Sequence, residues 1–163
     1  MKIIGFLFIN FVAYALAAQE IDVKASITKV ERNTNKWLLI ITSSEQTIEF
    51  TKVLKPIDVE DDLLIEYKIT DKSDQVLGEG SGPLCTLPKS KDGIMVHLMG
   101  KFLGVNLECP VDKKEGDKPS AVTFGQIVLD ENPGAGTKLF IEISIKKEDT
   151  AIVTLNLDGG PQQ

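Results

Sequence analysis

The chain has 163 residues, 42% hydrophobic and 26% charged, with 18 basic residues against 24 acidic ones and a net charge of −6. Its lysines are interleaved with Asp and Glu, so the chain lacks the basic stripe that nucleic-acid binding needs. One histidine and two cysteines fall short of a well-spaced zinc set, and no metal or other cofactor is expected.

The N-terminus carries Lys2, then an apolar run from Ile3 to Val12 broken by Gly5 and Asn10, then small residues at Tyr14-Ala15-Leu16-Ala17-Ala18. This order predicts a signal peptide over 1–18, cleaved after Ala17 or Ala18. The run is shorter than the ~20 residues of a membrane span, so the mature protein is expected to be soluble and secreted, with lysosomal routing left open. Loss of Lys2 takes 18 basic residues to 17 against 24 acidic ones, a net charge of −7. About 145 residues remain, enough for one domain with a real core. No Asn-X-Ser/Thr sequon is present, so N-glycosylation is not expected.

The body of the chain alternates with period two. Leu63, Ile65, Tyr67 and Ile69 form one apolar set, and Leu139, Ile141, Ile143 and Ile145 another, each interleaved with mostly polar residues. Both read as strands with one face inward. Further strands are expected at Ile21 to Val30, Trp37 to Thr42, Thr47 to Val53, Val76 to Glu79, Phe102 to Leu107, Ala121 to Leu129 and Ala151 to Leu157. The polar stretch between Ile145 and Ala151 predicts a hairpin turn. The glycines from Gly78 to Gly82 and Pro83 end a strand just before Cys85. Asp158 to Gln163 has no apolar face and is expected to form a flexible tail at 158–163. Eight or nine short strands predict an all-β fold of two packed antiparallel sheets or a barrel.

Between Cys85 and Cys109 lies an apolar run richer than a surface loop needs, from Gly93 to Val105. In an oxidising compartment the two cysteines are expected to pair, closing a loop of about 25 residues worth roughly 3.5 kcal/mol in the chain-entropy model. Ile94 with Leu98 and Met95 with Met99 are i, i+4 pairs that allow a helical turn, against the weakening effect of Gly93, Gly100 and Gly104. Met95, Leu98, Met99, Phe102 and Leu103 suit two roles equally: an apolar mouth touching lipid or membrane, or a plug folded onto the sheet edge.

Catalytic signals are scarce. There is no Gly-x-Ser-x-Gly elbow, Asp149-Thr150-Ala151 has no second copy to share a proton, and Glu60, Asp61 and Asp62 read as a solvated edge. The chain is not expected to be an enzyme.

The segment Cys109-Pro110-Val111-Asp112-Lys113-Lys114-Glu115-Gly116-Asp117 resembles the ML (lipid-recognition) domain family, whose members include the Niemann–Pick type C sterol carrier and the ganglioside activator. It is followed by Phe124, by Gly134 and Gly136, and by the strand Lys138 to Ile145, an order that extends the resemblance over Ile21 to Leu157. Val30, Ile152 and Val153 stand where that family usually carries further cysteines. The resemblance implies an immunoglobulin-like β-sandwich, over 19–157, whose sheets hold a sterol, fatty acid or phospholipid between them. It places Ile65, Tyr67, Ile69, Phe124, Ile141, Ile143 and Val153 around the lipid, with Met95, Leu98, Met99, Phe102 and Leu103 at its entrance. The implied partners are a hydrophobic lipid and a transient membrane contact. The alternative is a secreted immunoglobulin-like protein-interaction module whose interior is filled by the same side chains.

Overall fold

The structure is a computed structural model that describes residues 18–162. The predicted signal peptide, apart from Ala18, lies outside them. The chain is mostly β: strands β1 (Gln19–Arg32), β2 (Leu38–Ser44), β3 (Thr47–Val53), β4 (Leu63–Thr70) and β5 (Val76–Pro83) precede the helix α1 (Lys91–Leu103), and β6 (Val122–Leu129), β7 (Leu139–Lys147) and β8 (Thr150–Pro161) follow it. Six strands form one antiparallel sheet in the order β5-β4-β7-β8-β1-β6, and β2 and β3 form a separate hairpin.

The alternating sets define the inner face of the larger sheet. Ile69, Ile141, Leu157 and Ile27 sit opposite one another across β4, β7, β8 and β1, and Tyr67, Ile143 and Leu155 form the next row. Cross-strand rows of branched side chains fix the register, because a slip of one residue would turn every one of them outward. The polar stretch after β7 turns the chain into β8, with Glu148 at φ 52°. The predicted hairpin is present.

Three expectations are corrected. The predicted strand Phe102 to Leu107 is instead the end of α1, a turn and a loop. Met95, Leu98, Met99, Phe102 and Leu103 recur at intervals of three and four, a helical period that outweighs three glycines once the helix has a sheet to pack on. Ser90 caps the helix by accepting from the Gly93 N–H at 3.0 Å, and Gly104 ends it at φ 69°, a left-handed conformation that glycine adopts without a Cβ clash.

The predicted flexible tail at 158–163 is strand as far as Pro161. Ala25, Lys24 and Val23 pair with Gly159, Gly160 and Pro161, so main-chain hydrogen bonding to β1 orders a segment that has no apolar face to recommend it.

The third correction is Phe124, which is 57% exposed. Ile127 and Leu129 set the inward parity of β6, and Phe124 falls on the opposite parity, where Lys24 Nζ lies 5.7 Å from its ring centre. The strand forms where the alternation predicts it, with Phe124 on its outer face.

Helix α1 touches β4, β5 and β6 of the larger sheet and β3 of the hairpin, so it packs against both. Met95, Met99, Phe102 and Leu103 are 0% exposed, and they join Ile65, Ile69, Ile143 and Val153 in a single buried cluster. The helix therefore supplies the second half of the core.

Candidate functional site

The face of α1 turned away from the core carries His97 and Lys101, both exposed. Beside it runs a groove of about 560 Å³, with Leu84, Pro88, Val96, Val105 and Leu107 among its walls and Gly93, Gly100 and Gly104 along its floor. A smaller hollow of about 330 Å³ lies on the other side of the same ridge and shares Pro88, His97 and Lys101 with the groove. Phe124 and Ile94 line that second hollow.

The glycines exist because the loops come very close. A Cβ on Gly93 would lie 2.0 Å from the Leu87 carbonyl oxygen, and one on Gly100 would lie 2.5 Å from that of Val105. Any side chain at these positions would push the walls away from the helix. The Val105 N–H donates to the Gly100 carbonyl at 3.0 Å, and the Asp117 N–H donates to that of Gly104 at 2.7 Å. The first bond closes the end of the helix itself, and the second brings the chain back across its C-terminus.

Cys85 and Cys109 form a disulfide with a Cα–Cα distance of 5.3 Å, as the sequence led one to expect. Its position gives it a local task. Cys85 follows Leu84 and Cys109 follows Glu108, so the bridge joins the two loops that wall the groove and leaves both sheets uncrossed. Leu84 is in turn held by its N–H to the Leu63 carbonyl, 2.8 Å away.

Charge at the groove is mixed. Lys101 and Lys118 line it together with Glu108 and Asp117, and Lys101 Nζ donates to the Phe124 carbonyl at 2.9 Å. The marked shifts in acidity lie elsewhere. Hydrogen bonds from Lys55 and the Trp37 indole lower the pKa of Asp61 to about 2, in a contact that pins the end of the hairpin to the turn before β4. Burial, and then the nearby Asp92 and Asp130 carboxylates, push the Tyr67 phenol upward.

The residues expected around the lipid are brought together, with one exception. Ile65, Tyr67, Ile69, Ile141, Ile143 and Val153 line the sheet, Met95, Leu98, Met99, Phe102 and Leu103 pack against it from α1, and Phe124 is outside on the rim of the smaller hollow. The space between sheet and hairpin is occupied by helix side chains. Of the two roles open to those five residues, the burial is that of core, and an apolar rim for membrane contact is not made of Met99, Phe102 or Leu103. The residues lining the groove were not singled out in the sequence. One signal for them existed: Gly93, Gly100 and Gly104, at spacings of seven and four, fall on one helical face.

Compared with family models, curated proteins and solved structures, the chain matches none. Among the described residues no helix is long and apolar enough to cross a membrane, and no cluster of His, Cys, Asp and Glu is placed to hold a metal ion.

Proposed function

We propose that the protein is a secreted, non-catalytic lipid carrier that shelters one hydrocarbon chain in the groove beside α1. The observation that carries this reading is the groove itself. Its volume of about 560 Å³ falls within the ~300–1,000 Å³ typical of small-molecule sites, and its lining sets Leu84, Pro88, Val96, Val105 and Leu107 beside polar and charged side chains. His97, Lys101 and Lys118 are available at its edge for a polar headgroup, and the disulfide holds its walls at a fixed spacing. Each methylene removed from water there contributes roughly 0.8 kcal/mol, so a partly buried chain gives useful affinity.

The finer reading of the fold belongs with this proposal. The curled sheet and the β2–β3 hairpin are the two layers of an immunoglobulin-like sandwich of the ML kind, pried apart and filled by α1. Its support is the placement of the helix against both layers and the disulfide that bounds the helical segment. The same filling favours a second reading, the secreted interaction module with a solid core, since the positions expected to face lipid face the helix instead.

Binding of a fluorescent fatty acid to two variants separates these. Asn106→Trp places a large ring at the exposed edge of the groove and is expected to weaken binding at least tenfold, at the small stability cost of the exposed hydrogen bond that Asn106 Oδ1 accepts from the Glu108 N–H. Val153→Phe overpacks the interior, costs about 1–3 kcal/mol of stability, and leaves the affinity of the folded fraction unchanged. Binding lost with Val153→Phe and retained with Asn106→Trp would place the lipid inside the sandwich. The absence of any binding would favour the interaction module.

A further inference from the structure

The groove and the smaller hollow border each other along a polar ridge. His97 and Lys101 lie four residues apart on α1, hence on one face of the helix, and both are exposed. With Pro88 they line both spaces. Away from the ridge each space has apolar residues of its own. Val96, Val105 and Leu107 belong to the groove, and Val23, Ile94 and Phe124 to the hollow. Across this face the polarity therefore runs apolar, polar, apolar.

The charges follow a related order. Lys101 Nζ gives one proton to the Phe124 carbonyl at 2.9 Å, and an ammonium has two more to donate. The carboxylates lie off the ridge: Asp22 lines the hollow alone, where its Oδ1 accepts from Gln126 Nε2 at 3.3 Å, and Glu108 and Asp117 line the groove alone, together with Lys118.

We infer that the ligand is a two-chain amphiphile with a phosphate in its head, one chain in the groove of about 560 Å³, the other in the hollow of about 330 Å³, and the phosphate over His97 and Lys101. This assignment rests on the lipid-carrier reading. A single long chain running through both spaces would lay hydrocarbon across two polar side chains and take water from them without replacing its hydrogen bonds. A ligand polar at its centre and apolar at both ends leaves those groups partnered. Its second chain adds buried apolar area without a second loss of translational freedom, so it raises affinity steeply. The carboxylates on either side of the ridge favour a zwitterionic head over one with further negative charge.

Calorimetry with two soluble probes tests it: 1,2-dioctanoylphosphatidylcholine and 1-octanoyl-lysophosphatidylcholine, each below its micelle concentration. The two-chain probe should bind at least tenfold more tightly. Phe124→Asp puts a carboxylate at an exposed position on the rim of the hollow, and Gln126→Trp fills the same hollow with a ring. Either variant should abolish the advantage by weakening the two-chain probe alone. His97→Ala/Lys101→Ala should weaken the two-chain probe at least fivefold, and unchanged affinity there would overturn the placement of the head. Equal affinities for the two probes, an advantage that survives both hollow variants, or equal weakening of both probes by them would overturn the two-chain ligand. So would failure of both probes to bind a protein that still binds a fluorescent fatty acid, and in each of these cases the carrier reading stands. Failure of the fatty acid and both probes alike would overturn the carrier reading and this inference together.

Discussion

Phe102 and Phe124 show how much a single position depends on its parity. Phe102 is 0% exposed against the sheet, whereas Phe124 is 57% exposed over Lys24. Phe102→Ala is expected to cost about 3–5 kcal/mol, the range for truncating a buried aromatic, while Phe124→Ser should change stability by no more than about 0.5 kcal/mol. Urea denaturation of the two variants checks both. Similar losses for the two would contradict the assigned faces of α1 and β6. Asp61 supplies a prediction in pH. Its pKa is lowered from 3.8 to about 2 by Lys55 and Trp37, so the folded state favours the carboxylate. The stability it contributes is full above its unfolded pKa and is lost as pH falls from about 4 through about 2. Asp61→Asn removes that contribution, and its urea midpoint should approach that of the wild type as pH drops through this window. A gap that stays constant down to pH 2 would show that the ion pair does not carry the effect.

Elements built on period two were legible, and those built on main-chain pairing or on a mixed pattern were not. β4 and β7 announce themselves because each inward residue is apolar and most outward ones are polar. α1 was visible as two i, i+4 pairs, but glycines at 93 and 100 suggested weakness when their role is to let the Leu87 and Val105 carbonyls approach. The end of β8 was illegible for another reason: Gly159 and Gly160 have no side chains to signal burial, and their order comes from the backbone of β1. Deleting 158–163 is therefore expected to lower the melting temperature by several degrees, measured by circular dichroism. A loose tail would leave it unchanged. The disulfide makes a more local contribution. Cys85→Ser should cost at most roughly 3.5 kcal/mol and loosen the groove walls, with exchange rates rising in residues 84–90 and 105–109 and staying low in β7 and β8. Thiol labelling of the denatured, unreduced protein should find no reactive cysteine.

On the scale of the whole molecule, the curled sheet faces a problem that its sequence does not reveal. Its inner face offers several rows of Ile, Leu and Val, more apolar surface than a two-stranded hairpin can cover. Something must fill the difference. A bound lipid and a buried helix are physically equivalent answers to that demand, and period-two alternation reads the same under both. The structure supplies the helix. The groove along its outer face was hidden in the sequence because it is made by loops meeting a helix, and no single stretch of residues encodes that meeting. The net charge of −7 expected for the mature chain disfavours a purely electrostatic attraction to anionic membranes.

Native mass spectrometry of the protein purified from a secreting host decides whether the folded chain holds a lipid. A lipid carrier gives a population heavier than the disulfide-bonded chain by the mass of one lipid, released by organic extraction and reduced in Asn106→Trp. A single species at the mass of the bare chain, unchanged after incubation with fatty acids, sterols and phospholipids, would contradict it.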